Sequence, residues 1–258
     1  MRHRFLIPFL LTVLSGPFLF CQNEYNLRQF GNESVDFLKQ PTKWEGNDWL
    51  RLGLVGAGTL LAMQIDQPVH DAVMKDQAYY NSPTVKIGNM WGEIYATAII
   101  GGGFGLHGLL SENNSTKKVG FEILQAACYS GATTTLLKAI VGRARPYTGK
   151  GMSRYQPFTI LDDGFHSLPS GHTTLAFALS TVLAKNTQSG VLRVLAYLPA
   201  AMTLFARVEQ DYHWTSDCLL SAVIGYAVAS WVTDLHDQKD SPVRLSSIYP
   251  LSIKINLN

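Results

Sequence analysis

Apolar and polar positions along the chain recur mostly with helical spacing. The stretch NDWLRLGLVGAGTLLAMQID reads as a helix from Asn47, with Asn47 or Asp48 as its N-cap and Pro68 stopping or bending the run. SPTVKIGNMWGEIYATAIIGGGFGLHGLL reads as a second helical region, opened by Ser82 and Pro83 and loosened at Gly101 to Gly103. NNSTKKVGFEILQAACYSGATTTLLKAIVG reads as a third, capped near Ser115. A long polar stretch follows, from Arg143 to Pro169. Three more helical patterns occupy 170–185, 190–208 and 213–236, and the tail from Leu251 alternates like a short strand. The pattern predicts one all-α domain over 47–238, a helical bundle of about six core helices, with a strand-like C-terminal tail over 239–258.

The first 21 residues differ from the rest. MRHRFLIPFLLTVLSGPFLFCQN has a basic start, an apolar run and a polar end, the layout of a secretory signal peptide. Phe20 stands where a lipoprotein signal has a small residue, so ordinary cleavage near Cys21 is expected; an uncleaved anchor helix is the alternative. Residues 22–46 are a polar and aromatic N-terminal segment. Export places the chain in a periplasm or cell envelope. Most uninterrupted apolar runs are about 12–16 residues, short of the roughly 20 that span a bilayer. Arg51, His107, Gln125 and Arg193 interrupt or flank them. The expectation is therefore a globular bundle with buried core helices, membrane insertion of 94–110 and 218–232 being the alternative.

Composition narrows the function. Hydrophobic residues make up 47% and charged residues 16%, against about 25% charged in a typical soluble domain. A net charge of +2 argues for no nucleic-acid partner. Three cysteines supply no disulfide framework; Cys128 and Cys218 sit in apolar helical pattern as small hydrophobes. There is no C-x-x-C pair for zinc and no carboxylate cluster for a divalent ion, so no metal or other cofactor is expected.

Three polar clusters stand against this apolar background. In KAIVGRARP, Lys138 and Arg145 are two helical turns apart and share a face if the helix lasts that far, Pro146 ending it. Two converging cations favour an anion between them, phosphate above all, although a solvated basic helix end would carry the same residues. In PSGH, Ser170 and Gly171 open an apolar helix whose free N–H groups can hold an anion, with His172 in the first turn; plain capping by Ser170 is the alternative. In RVEQDYHWTSD, His213 and Asp217 have the i, i+4 spacing that lets a carboxylate fix an imidazole tautomer and free the other nitrogen as a nucleophile. A surface ion pair has the same spacing. Arg207 would hold the group attacked.

Lys-x6-Arg-Pro, Pro-Ser-Gly-His and Arg-x5-His-x3-Asp, in this order, closely resemble the three-part signature of the type-2 phosphatidic acid phosphatase superfamily. That superfamily also includes bacterial acid phosphatases and vanadium haloperoxidases. The match runs from Lys138 to Asp217. One departure is Ala206, where the family usually has Ser before the third-cluster Arg. The resemblance implies a metal-independent phosphatase on a helical bundle. By it, Lys138, Arg145 and Arg207 bind phosphate oxygens, and Ser170 with the Gly171 N–H completes the cradle. His213 attacks phosphorus and becomes a phosphohistidine, His172 protonates the leaving oxygen, and Asp217 orients His213. The expected substrate is a lipid phosphate or polyprenyl diphosphate met at a membrane surface, with a soluble phosphomonoester second. A vanadium haloperoxidase and a non-catalytic envelope protein of this fold are the more distant readings. The loop 147–168, with Tyr147, Lys150, Arg154, Tyr155 and Phe158, is expected to shape substrate access, and His166 to stand near the mouth. His70, His107 and His236 match no motif.

Overall fold

The computed structural model describes residues 23–240. The expected signal peptide and the strand-like tail from Leu251 lie outside the described residues. The described part is all-α, with ten α-helices and no strand beyond an isolated bridge between Arg143 and Tyr155. The helices are α1 (Leu27–Leu38), α2 (Gly46–Ala62), α3 (Asp66–Lys75), α4 (Pro83–Gly92), α5 (Ile94–Leu110), α6 (Asn114–Val141), α7 (Gly171–Lys185), α8 (Gly190–Leu195), α9 (Leu198–Glu209) and α10 (Thr215–Asp240). α5 packs along α6, α7 along α10, and α4 along α9, while α6, α7 and α10 also pack on one another. Ile123 and Tyr129 of α6, Leu179 and Val182 of α7, and Trp231 and Val232 of α10 form the apolar core.

Several boundaries depart from the hydrophobic pattern, each for a local reason. The second helical region breaks into α4 and α5 because Glu93 takes an extended conformation, φ −77° and ψ 144°. The 190–208 pattern divides into α8 and α9, with Pro199 in the first turn of α9, where its missing N–H costs nothing. α6 is capped by Asn113, whose side chain accepts from the N–H groups of Ser115 and Thr116. α2 begins at Gly46 under a capping box of Glu45 and Asp48. The N-terminal segment contains α1, where Phe30 and Phe37 pack on the core and Glu33 is buried.

The faces of these helices reverse the expected pattern. α2 has no buried residue, and Leu50, Leu52, Leu54, Leu60 and Leu61 all face outward. In α5 only Thr97, Gly101 and Gly108 are buried, while Ile94, Ile99, Leu106, Leu109 and Leu110 are exposed. Val191, Leu192, Val194 and Leu195 of α8 are exposed too. The interior holds Ser130, Thr134, Thr173, Thr174, Ser180, Thr181, Thr203 and Thr233 instead. The apolar runs of α2, α5 and α8 are therefore not the buried core helices of a globular bundle. Small residues set the helix spacing: a Cβ at Gly120 of α6 would overlap the backbone of Gly101 and Gly105 in α5. The segments Gly190–Glu209 and Thr215–Asp240 are each long and apolar enough to cross a membrane.

One end of the bundle gathers the C-terminal ends of α6 and α9 and the N-terminal ends of α7 and α10. α6 stops at Gly142, which is left-handed at φ 60° and donates to Lys138 O. A side chain there would collide with Gln156 O across the loop. The chain beyond Gly142 is thereby turned back over the end of the bundle.

Candidate active site

A cavity of about 540 Å³ opens at this end. Lys138, Arg145, Gly171, His172, Arg207 and His213 line it, six of the eight residues singled out from sequence. Ser170 and Asp217 do not line it. Ser170 is fully buried as the N-cap of α7, accepting from Thr173 N–H and donating its own N–H to Ser221 Oγ at 2.6 Å. It holds the helix start in place, and the cavity meets the Gly171 end of that helix.

His213 is 3% exposed and sits in the turn before α10, not on the helix. The i, i+4 contact with Asp217 is accordingly not a hydrogen bond: His213 Nδ1 lies 3.9 Å from Asp217 Oδ2. Nδ1 instead meets the carbonyl of Ser167 at 2.7 Å. A carbonyl only accepts, so Nδ1 carries the proton and Nε2 presents a lone pair, 3.5 Å from an Arg145 nitrogen. Burial, then the charges of Lys138 and Arg145, hold the imidazole well below its ordinary 6.5. His213 is thus a neutral, oriented base facing cations.

Asp217 acts one step behind. Its carboxylate accepts from Ser167 Oγ at 2.5 Å, from Trp214 N–H at 2.9 Å and from Arg143 at 2.6 Å. Arg143 is fully buried and also donates to Asp66 at 2.8 Å and to Ser216 Oγ at 2.8 Å. Asp66 in turn accepts from Ser216 N–H at 2.8 Å. The sequence reading passed over Arg143, Ser167 and Asp66. Arg143 stands two residues before Arg145 with Ala144 buried between them, and distant contacts, not a motif, decide which arginine faces the cavity.

The cations do not share a helix face as the spacing allowed, because Gly142 ends α6 between Lys138 and Arg145. Lys138 Nζ bonds His166 O. Arg145 donates to Asp163 through Nε to the carbonyl, 2.9 Å, and through the fork to the carboxylate, 2.8 Å. Arg207 is held by Asn89 and by Gln210 (2.8 Å) and lies over the Tyr212 ring. Its Nε is buried with no hydrogen-bond partner. His172 Nε2 meets Glu93 Oε1 at 3.1 Å. Asn89, Glu93 and Asp163 lie outside the three clusters, and Gln210 falls inside the third at a position its pattern leaves open; the helix break at Glu93 is what carries that carboxylate to His172. His166 lines the mouth as expected, with Nε2 bonded to Thr159 O at 2.9 Å.

The buried network yields a stability prediction. Asp217→Ala leaves Trp214 N–H, Ser167 Oγ–H and one Arg143 nitrogen buried without their acceptor and should cost about 3–5 kcal/mol. Arg143→Met combined with Asp217→Ala should cost clearly less than the sum of the two single changes, because the Arg143–Asp217 contact is lost only once, while Asp66 loses its cation in both variants that lack Arg143. Denaturant unfolding of the three variants in detergent decides it, and strict additivity would disprove the coupling.

Residues 120–241 match the family model described as the PAP2 superfamily. The chain is 37% identical over 75 residues to a lipid A 1-phosphatase of Porphyromonas gingivalis, covering 27% of this chain and 17% of that protein. It is 31% identical over 142 residues to probable lipid phosphate phosphatase 4 of Arabidopsis thaliana, 44% of each chain. It is 30% identical over 140 residues to probable diacylglycerol pyrophosphate phosphatase 1 of Schizosaccharomyces pombe, 42% of this chain and 49% of that one. The match spans less than half the length of each of these relatives. No solved structure gives a significant match. The Lys-Arg, Ser-Gly-His and Arg-His-Asp clusters all fall within the segment that matches the PAP2 superfamily.

Proposed function

We propose that the chain is a metal-independent phosphatase of lipid phosphates that works within a membrane through a phosphohistidine intermediate. The observation that carries this reading is the gathering of Lys138, Arg145 and Arg207 around one cavity with His213, whose free nitrogen lies 3.5 Å from Arg145, and with Arg207 Nε–H buried and unpaired. A buried donor without an acceptor is costly, and an anion in the cavity would relieve it. The relatives' names each join a phosphate to a lipid. The outward apolar faces of α2, α5 and α8, with Gly, Ser and Thr at the helix contacts, suit hydrocarbon as the surrounding solvent.

The chemistry follows from the positions. The three cations and the α7 amides hold the equatorial oxygens and stabilise charge that builds there in the transition state. His213 Nε2 donates its electron pair to phosphorus as the ester P–O bond breaks, and the departing oxygen takes a proton from His172. The positive charge developing on the His213 ring is met by the Ser167 carbonyl at Nδ1–H. Water then attacks phosphorus as the bond to His213 Nε2 breaks, giving a proton to His172, and inorganic phosphate leaves with His213 neutral again. Burial, then the charge of Arg207, lowers the His172 pKa, and Glu93 at Nε2 opposes that shift by favouring the proton-carrying form of the ring. In this scheme Asp217 positions Ser167 and does not touch His213 directly.

Two variants test the chemistry. His213→Ala should leave less than a tenth of kcat and no acid-labile phosphoenzyme in rapid-quench experiments; retention above that level means a loss under about 1.4 kcal/mol and a wrong nucleophile. His172→Ala should cut kcat/KM for alkyl phosphates by roughly 10²–10⁴-fold and for p-nitrophenyl phosphate far less, since nitrophenolate hardly needs the proton. Equal losses would make His172 a phosphate ligand only.

The pH profile has a definite sign. Protonation removes the His213 nucleophile, and a depressed pKa delays that loss to lower pH. The His213-dependent acid limb of kcat/KM should therefore lie below pH 6.5; a limb at or above it contradicts the assignment. For the membrane setting, the chain should stay with the membrane fraction through an alkaline carbonate wash and need detergent for release. Release by carbonate alone would refute embedding.

A further inference from the structure

The loop between α6 and α7 holds three large apolar side chains just before Asp163 and His166, which line the cavity. Phe158, Ile160 and Leu161 are 78%, 74% and 98% exposed. The loop that presents them is pinned. Gln156 N–H donates to Gly142 O at 2.7 Å, Thr159 Oγ1 donates to Gln156 O at 2.7 Å, and His166 Nε2 meets Thr159 O at 2.9 Å. Thr159, in the midst of the exposed side chains, is itself buried. The backbone is thus fixed inward and the apolar side chains outward. Phe158 is left-handed at φ 61°, which is rare for an aromatic residue.

The tip connects two surfaces of opposite character. On one side its chain runs directly into the cavity wall, through Asp163, which holds Arg145, and through His166. On the other it adjoins the end of α6, where Leu136 and Ile140 face outward. Tyr155, just before the tip, meets Met63 at 3.7 Å beyond the end of α2, where Leu60 and Leu61 face outward as well. An anion cavity joined to a rigid apolar lip complements an amphiphile, its head in the cavity and its hydrocarbon along the lip. A small phosphomonoester would leave the lip in water, where three exposed apolar side chains gain nothing.

We propose that Phe158, Ile160 and Leu161 contact the hydrocarbon tail of the phosphorylated substrate and set the preference for lipid phosphates over small phosphomonoesters. This rests on the phosphatase reading of the cavity, and the two can fail separately. The test uses the full chain in detergent and the variant Phe158→Asn/Ile160→Ser/Leu161→Ser, Asn being chosen because it tolerates the left-handed backbone. Calorimetry measures octylphosphonate, below its critical micelle concentration, and methylphosphonate. The wild type should bind octylphosphonate more tightly. The variant should lose roughly tenfold or more of that affinity, the worth of a few methylenes returned to water, with methylphosphonate changing less than twofold. Unchanged octylphosphonate affinity in the variant, or equal affinity of the wild type for both probes, overturns the inference. A variant that keeps octylphosphonate but loses turnover of vesicle-borne lipid phosphate would mean the tip docks on the leaflet, and also overturns it. Hydrolysis of p-nitrophenyl phosphate by the wild type tests the phosphatase reading alone, since phosphonate binding needs no turnover.

Discussion

Arg143 is buried completely, and the rest of the site follows from the need to match its charge. Two carboxylates meet it, Asp66 from the start of α3 and Asp217 from the first turn of α10, each at hydrogen-bond distance. Three stretches distant in sequence are thereby locked at one point. Asp217 reaches further, to Ser167 Oγ, so the carbonyl of Ser167 is fixed where His213 Nδ1 finds it. Removing one member leaves buried hydrogen-bonding groups without a partner, which is far costlier than losing an exposed pair. The tautomer of His213 is thus set by an ion network it never touches directly.

A second polar knot holds the opposite end of the bundle. His236 of α10 lies between Glu122 of α6 and Glu33 of α1, 3.1 Å from each, and Lys239 also reaches Glu33. His236 is 19 positions after Asp217 on one helix, about 28 Å along its axis. Between the knots the contacts are small and neutral, made of Gly, Ser, Thr and a modest apolar core, while the bulk of the leucines and isoleucines of α2 and α5 face out. Such a bundle gains little from apolar burial within itself. Close helix approach and polar contacts are what remain to hold it, which is the arrangement expected when the surroundings are as apolar as the side chains.

This inversion marks the limit of what the sequence made legible. Periodicity located helices in every apolar region, because spacing does not depend on which side is buried. It could not tell a helix facing a core from one facing outward, and the short apolar runs were read as interior. α1 escaped notice because its buried anchor is Glu33, a residue that pattern reading assigns to the surface. The three clusters were legible because cations and histidines are rare against an apolar background, and six of those eight residues do line the cavity. The link from Asp217 to His213 was misjudged from spacing alone, since His213 precedes α10 and the i, i+4 rule applies only within a helix. Glu93, Asn89 and Ser167 carry no local signal, because each gains its place through contacts far along the chain.

The pair Arg143 and Arg145 shows how the site separates fixed charge from available charge. Both lie in the extended run after Gly142, with the same side chain. Arg143 is paired inside the protein with carboxylates that never see water. Arg145 is paired with Asp163, which is 70% exposed. An exposed ion pair is worth little, so a dianion in the cavity can take Arg145 from Asp163 at small cost. Glu93, also partly exposed, stands toward His172 in the same relation. The rim carboxylates offset two of the three cationic charges that line the cavity, and their exposure leaves them weakly held. The buried carboxylates, fixed by several donors each, are held far more strongly.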